Sequence, residues 1–210
     1  MPSVQTSERR PRTDVTPLER ARAEARAMTF APRGALRCDG PRLFRSQTAR
    51  DVACLADVDP EVTSWSCLPT ALKRAGEVHV PDLSIERAGR VTLVDALDDG
   101  APEPPHWVAT VAAETGFGHR VERAADIRGH RLDNARDLLR YAGWRVSLGD
   151  RVRLLTLLEE RGPLPVSACV EALPCREPIG VIAALALRGH VGIDLDEGPI
   201  GPATRVRAAS

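Results

Sequence analysis

Apolar positions along this chain recur in two rhythms, and the switches between them mark out its elements. Ser46 to Pro60 (SQTARDVACLADVDP) predicts a helix capped by Ser46 and closed at the Asp59-Pro60 turn. Val62 to Pro69 (VTSWSCLP) reads as a strand. Val80 to Leu97 (VPDLSIERAGRVTLVDAL) gives two short strands around an Ala88-Gly89 turn. Asp98 to Pro105 is a surface loop, followed by a helix over 106–115 that stops at Gly116. Leu132, Ala135, Leu138 and Leu139 then fall on one face of a further helix.

The two ends of the chain differ from this middle. Pro17 to Met28 predicts a charged helix capped by Thr16, with a thin apolar face of Leu18, Ala21, Ala25 and Met28. With the polar residues before it, it is expected to stand apart from the core. Beyond 147, Asp150 is expected to cap a helix through Glu160, followed by helices over 166–173 and 178–187 and short strands over 190–195 and 203–206. Three helices and a β-ribbon are the order of a winged helix. Its third helix is nearly all apolar from Val181 to Leu187, which suits burial or protein docking better than reading a DNA groove. The chain therefore divides into an Arg-rich tail and helix (1–43), an α/β domain (44–147) and a small winged-helix-like α+β domain (148–210).

Composition narrows the field without naming a function. The 210 residues carry 29 basic and 29 acidic side chains, so no global charge advertises a polyanionic partner. The charge is segregated, however: residues 1–50 are Arg-rich, 51–103 acidic, and 120–153 Arg-rich again. Arg120, Arg123, Arg128 and Arg131 are candidate contacts to a nucleic-acid backbone, by weak and sequence-independent attraction. The equally plain reading is that these are solvated faces. The five cysteines include no C-x-x-C pair and suggest neither a disulfide framework nor a zinc site. His79, His106, His119, His130 and His190 share no ligand spacing, and Trp65, Trp107 and Trp144 are expected in the core. With no secretory segment and no membrane-length apolar run, the cytoplasm is the expected compartment.

The chemistry sits in the 80–97 segment. Asp82 opens one arm and Asp95 lies on the other, as two carboxylates at a sheet edge could share a divalent cation. A plain hairpin with two solvated aspartates fits the same residues. Hydrolysis of a phosphodiester would need the metal to polarise phosphate and activate water, with a nearby ammonium offsetting the growing charge. The residue after Asp95-Ala96 is Leu97, and the only lysine in the chain is Lys73.

Ser46, Asp51, Pro69, Pro81-Asp82, Asp95, Asn134, the pair Leu138-Leu139 and Tyr141 follow in an order and spacing that resemble the N-terminal domain of TnsA-type transposon endonucleases. These belong to the PD-(D/E)xK nuclease superfamily, and the resemblance runs from about Phe44 to the end. It implies a restriction-endonuclease-like mixed sheet flanked by helices, with Asp82 and Asp95 as metal ligands and catalytic acids, and a winged-helix-like domain behind it. The departures fall in the site: Ala49 stands where the family has Glu, Leu68 where it has Gln, and Leu97 where it has Lys. The resemblance then implies a degenerate nuclease, binding Mg²⁺ weakly or not at all, acting as an accessory or regulatory DNA-associated protein of transposon origin, with a possible protein partner at the C-terminal domain. An active Mg²⁺-dependent endonuclease and a winged-helix regulator or adaptor are the alternatives. A third acid entering the pocket, such as Asp51 or Glu61, would favour the active enzyme.

Overall fold

A computed structural model describes residues 15–209. The expected polar stretch before Val15 lies outside the described residues. The chain forms helix α1 (Pro17–Arg26), α2 (Gln47–Val58), strands β1 (Val62–Cys67), β2 (Leu72–Arg74), β3 (Glu77–His79), β4 (Leu83–Arg87) and β5 (Arg90–Leu97). Then come α3 (Trp107–Glu114), β6 (Gly118–Arg123), α4 (Ala124–Ile127) and α5 (His130–Leu139). The last third holds α6 (Leu148–Arg161), β7 (Leu164–Pro165), α7 (Val166–Ala172), α8 (Pro178–Leu187), β8 (Val191–Ile193) and β9 (Arg205–Ala208).

The main sheet is mixed, in the order β1-β4-β5-β6. β1, β4 and β5 run antiparallel, and β6 joins β5 in parallel after the α3 crossover. Ala88 and Gly89 close the β4–β5 turn at φ 47° and 73°, which is the positive-φ pair a tight hairpin of this hand requires. Side chains alternate along the strands, so each face of β5 does different work. Val94 and Ala96 join Ala49, Val52, Ala53 and Trp65 in the core beneath α2. Leu93 joins Trp107, Val108 and Val111 of α3 and Leu72 of the small β2–β3 hairpin on the other face. Asp95 shares that second face.

Several expectations are corrected. α1 does not stand apart: Ala21 and Ala25, four apart, are buried in the core under the main sheet. Small side chains on a narrow stripe suffice when the helix lies close to its neighbours. Ser147, not Asp150, caps α6; its hydroxyl accepts the Asp150 amide at 3.0 Å, and Asp150 occupies the first turn instead. Trp144 is 38% exposed rather than core, laid edge-on to Tyr141 and against Gly180. The β2–β3 hairpin and β6 add to the elements that the sequence pattern predicts.

In the last third, a three-stranded antiparallel sheet, β7-β9-β8, backs α6, α7 and α8. Leu154, Leu158, Cys169, Val181, Ile182, Leu185 and Val206 form its core. α8 also presents Ala183 and Leu187 to Leu132, Ala135, Leu138 and Leu139 of α5, so one helix belongs to two cores. Asn134 ties the same seam: its amide donates to Leu195 and Gly198 carbonyls at 2.9 and 2.7 Å, and its oxygen accepts the Ile200 amide at 2.9 Å. Burial pushes the Cys54 thiol in this seam up to about 12, leaving it an unreactive packing group. Among the described residues, no helix is long and apolar enough to cross a membrane.

Candidate functional site

The β4–β5 register puts Leu83 opposite Val94. Asp82 and Asp95 come next, on adjacent strands, and both carboxyls are buried, with side-chain exposures of 9% and 3%. The sequence points to this pair, and the structure brings it together. The side chains that hold the pair carry no signal in the sequence.

Arg45, just before α2, donates Nε–H to Asp82 Oδ1 at 2.8 Å and Nη2–H to the Val80 carbonyl at 2.7 Å. The Ala96 amide donates to Asp82 Oδ2 at 2.9 Å. Asp95 is held between two imidazoles. His79, at the end of β3, places Nε2 at 2.8 Å from Oδ1 and 3.0 Å from Oδ2, and His119 of β6 places Nε2 at 2.8 Å from Oδ2. His119 reaches it because the parallel register sets His119 opposite Leu93, on the face that carries Asp95. All four carboxylate oxygens therefore accept a hydrogen bond from the protein itself.

The two acids differ in electrostatics. Burial pushes the Asp82 carboxyl above the usual carboxylate range, against the pull of Arg45, and the nearby Asp95 adds to the push. For Asp95, burial also opposes ionisation, but hydrogen bonds from His79 and His119 outweigh it and hold the carboxyl low. An ionised carboxylate only accepts, so both histidines carry the proton on Nε2.

Three positions depart from the nuclease pattern that the sequence resembles. Ala49 is buried in the core under α2. Leu68, at the end of β1, is also buried and takes φ 47°, a left-handed conformation unusual for leucine. Its strained turn is pinned from both sides: the Leu68 amide donates to the Asp82 carbonyl at 2.9 Å, and Arg22 of α1 donates Nε–H and Nη2–H to the Leu68 carbonyl at 3.2 and 2.9 Å. Leu97 lies two residues beyond Asp95 on the same strand face, half-buried. Neither proposed third acid enters. Asp51 accepts from Arg136 and Gln47 on α5 and α2, and Glu61 lies exposed beside Val62, at the end of β1 far from Asp82. Among the described residues, no three His, Cys, Asp or Glu side chains are arranged to hold a metal ion.

The four candidate backbone-binding arginines are each engaged with an acid. Arg123 pairs with Glu103, Arg128 with Asp99, and Arg131 with Asp196 at 2.8 Å. Arg120 Nε lies 2.9 Å from Glu122 Oε1, close enough for an ion pair but not aligned as a hydrogen bond. Pairs of this kind leave little net positive field for a phosphate backbone. A further acid missed from sequence is Asp57, fully buried, whose Oδ1 accepts from the Leu36 and Arg37 amides and from Trp65 Nε1 at 3.1, 2.9 and 2.7 Å. Its role is structural, tying the segment before α2 to β1.

A scan against protein-family models finds no match for this chain, and a search of curated proteins finds none either.

Proposed function

We propose that the chain is a nuclease-fold protein whose acidic site no longer supports cleavage, acting as an accessory DNA-associated protein. The observation that carries this reading is that every carboxylate oxygen of the acid pair already accepts a hydrogen bond from within the protein. Asp82 and Asp95 stand together on one sheet face, as a cation site would need. Yet Arg45, the Ala96 amide, His79 and His119 take up every carboxylate oxygen. A divalent ion would have to share these oxygens with four donor groups, three of them side chains that carry or can carry positive charge and would repel it. Mg²⁺, which sheds water reluctantly and seeks near-octahedral oxygens, is poorly matched to that arrangement. Leu97 supplies nothing that could orient water or offset developing charge.

The mixed sheet flanked by helices suits the restriction-endonuclease-like architecture, and helix, short strand, two helices and two strands suit a winged helix in the last third. α8 stands where a winged helix would present its reading helix, and α5 covers it. That burial weighs against the regulator reading and favours a C-terminal unit that braces the nuclease-like body. Incubation of the purified protein with supercoiled plasmid and Mg²⁺ or Mn²⁺ tests the proposal: no nicking above background is expected. Metal-dependent nicking abolished by Asp95→Ala would replace it with an active endonuclease.

A further inference from the structure

The fold brings together two thiols that the sequence keeps apart. The segment before α2 runs beside β1 in parallel. The Asp39 amide donates to the Trp65 carbonyl at 2.7 Å and the Trp65 amide to the Arg37 carbonyl at 2.9 Å, which sets Cys38 opposite Trp65. Cys67 is two residues further along β1, on the same strand face as Trp65. Cys38 packs against the core cluster that holds Cys67, and the two free thiols are hydrogen-bonded, with Cys67 donating. Cys38 Sγ in turn lies 3.6 Å from the Gly40 carbonyl.

The two sulfurs differ in access and in hold on their proton. Cys38 is half-buried with Asp39, Gly40, Pro41 and Arg42 exposed beside it, whereas Cys67 is 5% exposed. The hydrogen bond from Cys67 holds the Cys38 thiol below the usual thiol range, against burial and the Asp57 carboxylate, and the charges of Arg42 and Arg50 add to the pull. The same hydrogen bond, and then burial, push the Cys67 thiol up, so it keeps its proton. A reachable thiolate beside a protonated partner suits a pair in which one sulfur meets an oxidant and the other closes a link. Cys54 and Cys169, by contrast, are buried and raised by burial.

We propose that Cys38 and Cys67 form an oxidation site for small hydroperoxides, with Cys38 the attacking sulfur and Cys67 the resolving one. The Cys38 thiolate attacks a peroxide oxygen and the O–O bond breaks; the departing oxygen leaves protonated, as water from hydrogen peroxide, and Cys38 becomes a sulfenic acid. Cys67 sulfur then displaces the hydroxyl from Cys38 sulfur, its proton leaves with that hydroxyl as a second water, and the S–S bond forms. The two thiols together give up two electrons and two protons, and the peroxide is reduced. Cys38 lies in a segment without helix or strand, which takes up the closer approach that a disulfide requires. The link fastens this segment to the end of β1, one residue from Leu68, whose amide donates to the Asp82 carbonyl.

The full chain, reduced and then freed of reductant, is treated with hydrogen peroxide and digested with trypsin without reduction. Peptides 38–42 and 51–73 should appear linked, and fragmentation should place the link at Cys67 rather than Cys54. Two of the five thiols should be lost to a thiol reagent in urea, and dithiothreitol should return both. Cys67→Ser should stop the link and leave Cys38 as a sulfenic acid that dimedone captures. Cys38→Ser should leave Cys67 unmodified, and Cys175→Ser should form the link as the wild type does. A link through Cys54 or Cys175, a dimedone adduct on Cys67 in the Cys38→Ser chain, or five thiols remaining after peroxide overturns the proposal. So does Cys38 carried to sulfinic acid without a link. The wild-type digest decides by itself where a serine variant fails to fold.

Discussion

His119 Nε2 lies 2.8 Å from Asp95 Oδ2, across the parallel seam between β5 and β6. The contact joins the strand that carries the acid to the edge strand of the sheet, in a place where Asp95 is almost wholly buried. Removing one partner of such a pair leaves a buried charge short of a donor, at a cost of about 1–3 kcal/mol. His119→Ala should therefore lower unfolding free energy in urea by that amount. Asp95→Asn should lower it too, and the double variant should cost less than the sum, because the two side chains share one interaction. Strict additivity would mean that the contact contributes nothing.

The two acids should bend the acid limb of stability in opposite directions. Asp95 is held low in the folded chain, so its contribution is fully present above the ordinary carboxyl range and is lost as pH falls through its folded pKa. Asp82 is pushed up, so its ionised form carries a cost that is fully present above its raised pKa and disappears as pH falls below the ordinary range. Asp95→Asn should flatten the loss of stability in acid, and Asp82→Asn should steepen it. Denaturation midpoints measured from neutral pH down through the carboxyl range check both signs.

The hairpin, and the neighbouring acids on it, could be read from the chain because each of their signals is local. Period-two alternation from Leu83 to Leu97 and the Ala88-Gly89 turn define the register, and register alone sets Asp82 beside Asp95. His79 and His119 are forty residues apart and share no spacing, so their meeting on Asp95 depends on two elements without a strong sequence signal. β2 and β3 have three residues each, and β6 (GHRVER) is polar along its length, an edge strand with no clean alternation. Ala21 and Ala25 make α1 look too poorly apolar to dock. Small side chains give a weak hydrophobic signal even where close packing buries them completely.

Gly34 marks a place where the segment before α2 runs against α5. A Cβ there would stand 2.1 Å from the Leu139 carbonyl oxygen and 3.0 Å from Ala142 Cβ. Neither is the loose end of a flexible side chain, so backbone must move. Gly34→Ala should destabilise by about 1–3 kcal/mol, the usual range for overpacking a fixed site. Gly143→Ala, where a Cβ meets nothing within 4 Å, is the matched control and should change stability little. Equal unfolding midpoints for the two variants would contradict the close approach.

Truncation after residue 147 tests how far the last third braces the rest. It would uncover Leu132, Leu138 and Leu139 where Ala183 and Leu187 of α8 now cover them, and would leave Asn134 without the Leu195, Gly198 and Ile200 backbone groups. The truncated chain should aggregate or bind a hydrophobic dye, and light scattering reads this directly. Within the full chain, Leu187→Ala should cost about 2–5 kcal/mol. A truncated chain that stays monodisperse with an unchanged melting temperature would show that the body is self-sufficient.

Placing a lysine at position 97 should not create cleavage activity. Leu97→Lys would put an ammonium on the strand face of Asp95, yet His79 and His119 would still donate to both oxygens of that carboxylate. The variant is therefore expected to leave plasmid uncut with Mg²⁺ or Mn²⁺. Adding His79→Ala and His119→Ala frees Asp95, but Arg45 and the Ala96 amide still hold Asp82, so metal binding should rise only modestly by calorimetry. Nicking that appears with Leu97→Lys alone would mean that the hydrogen bonds on the acids yield readily to a metal, and that an ammonium at position 97 is enough for cleavage.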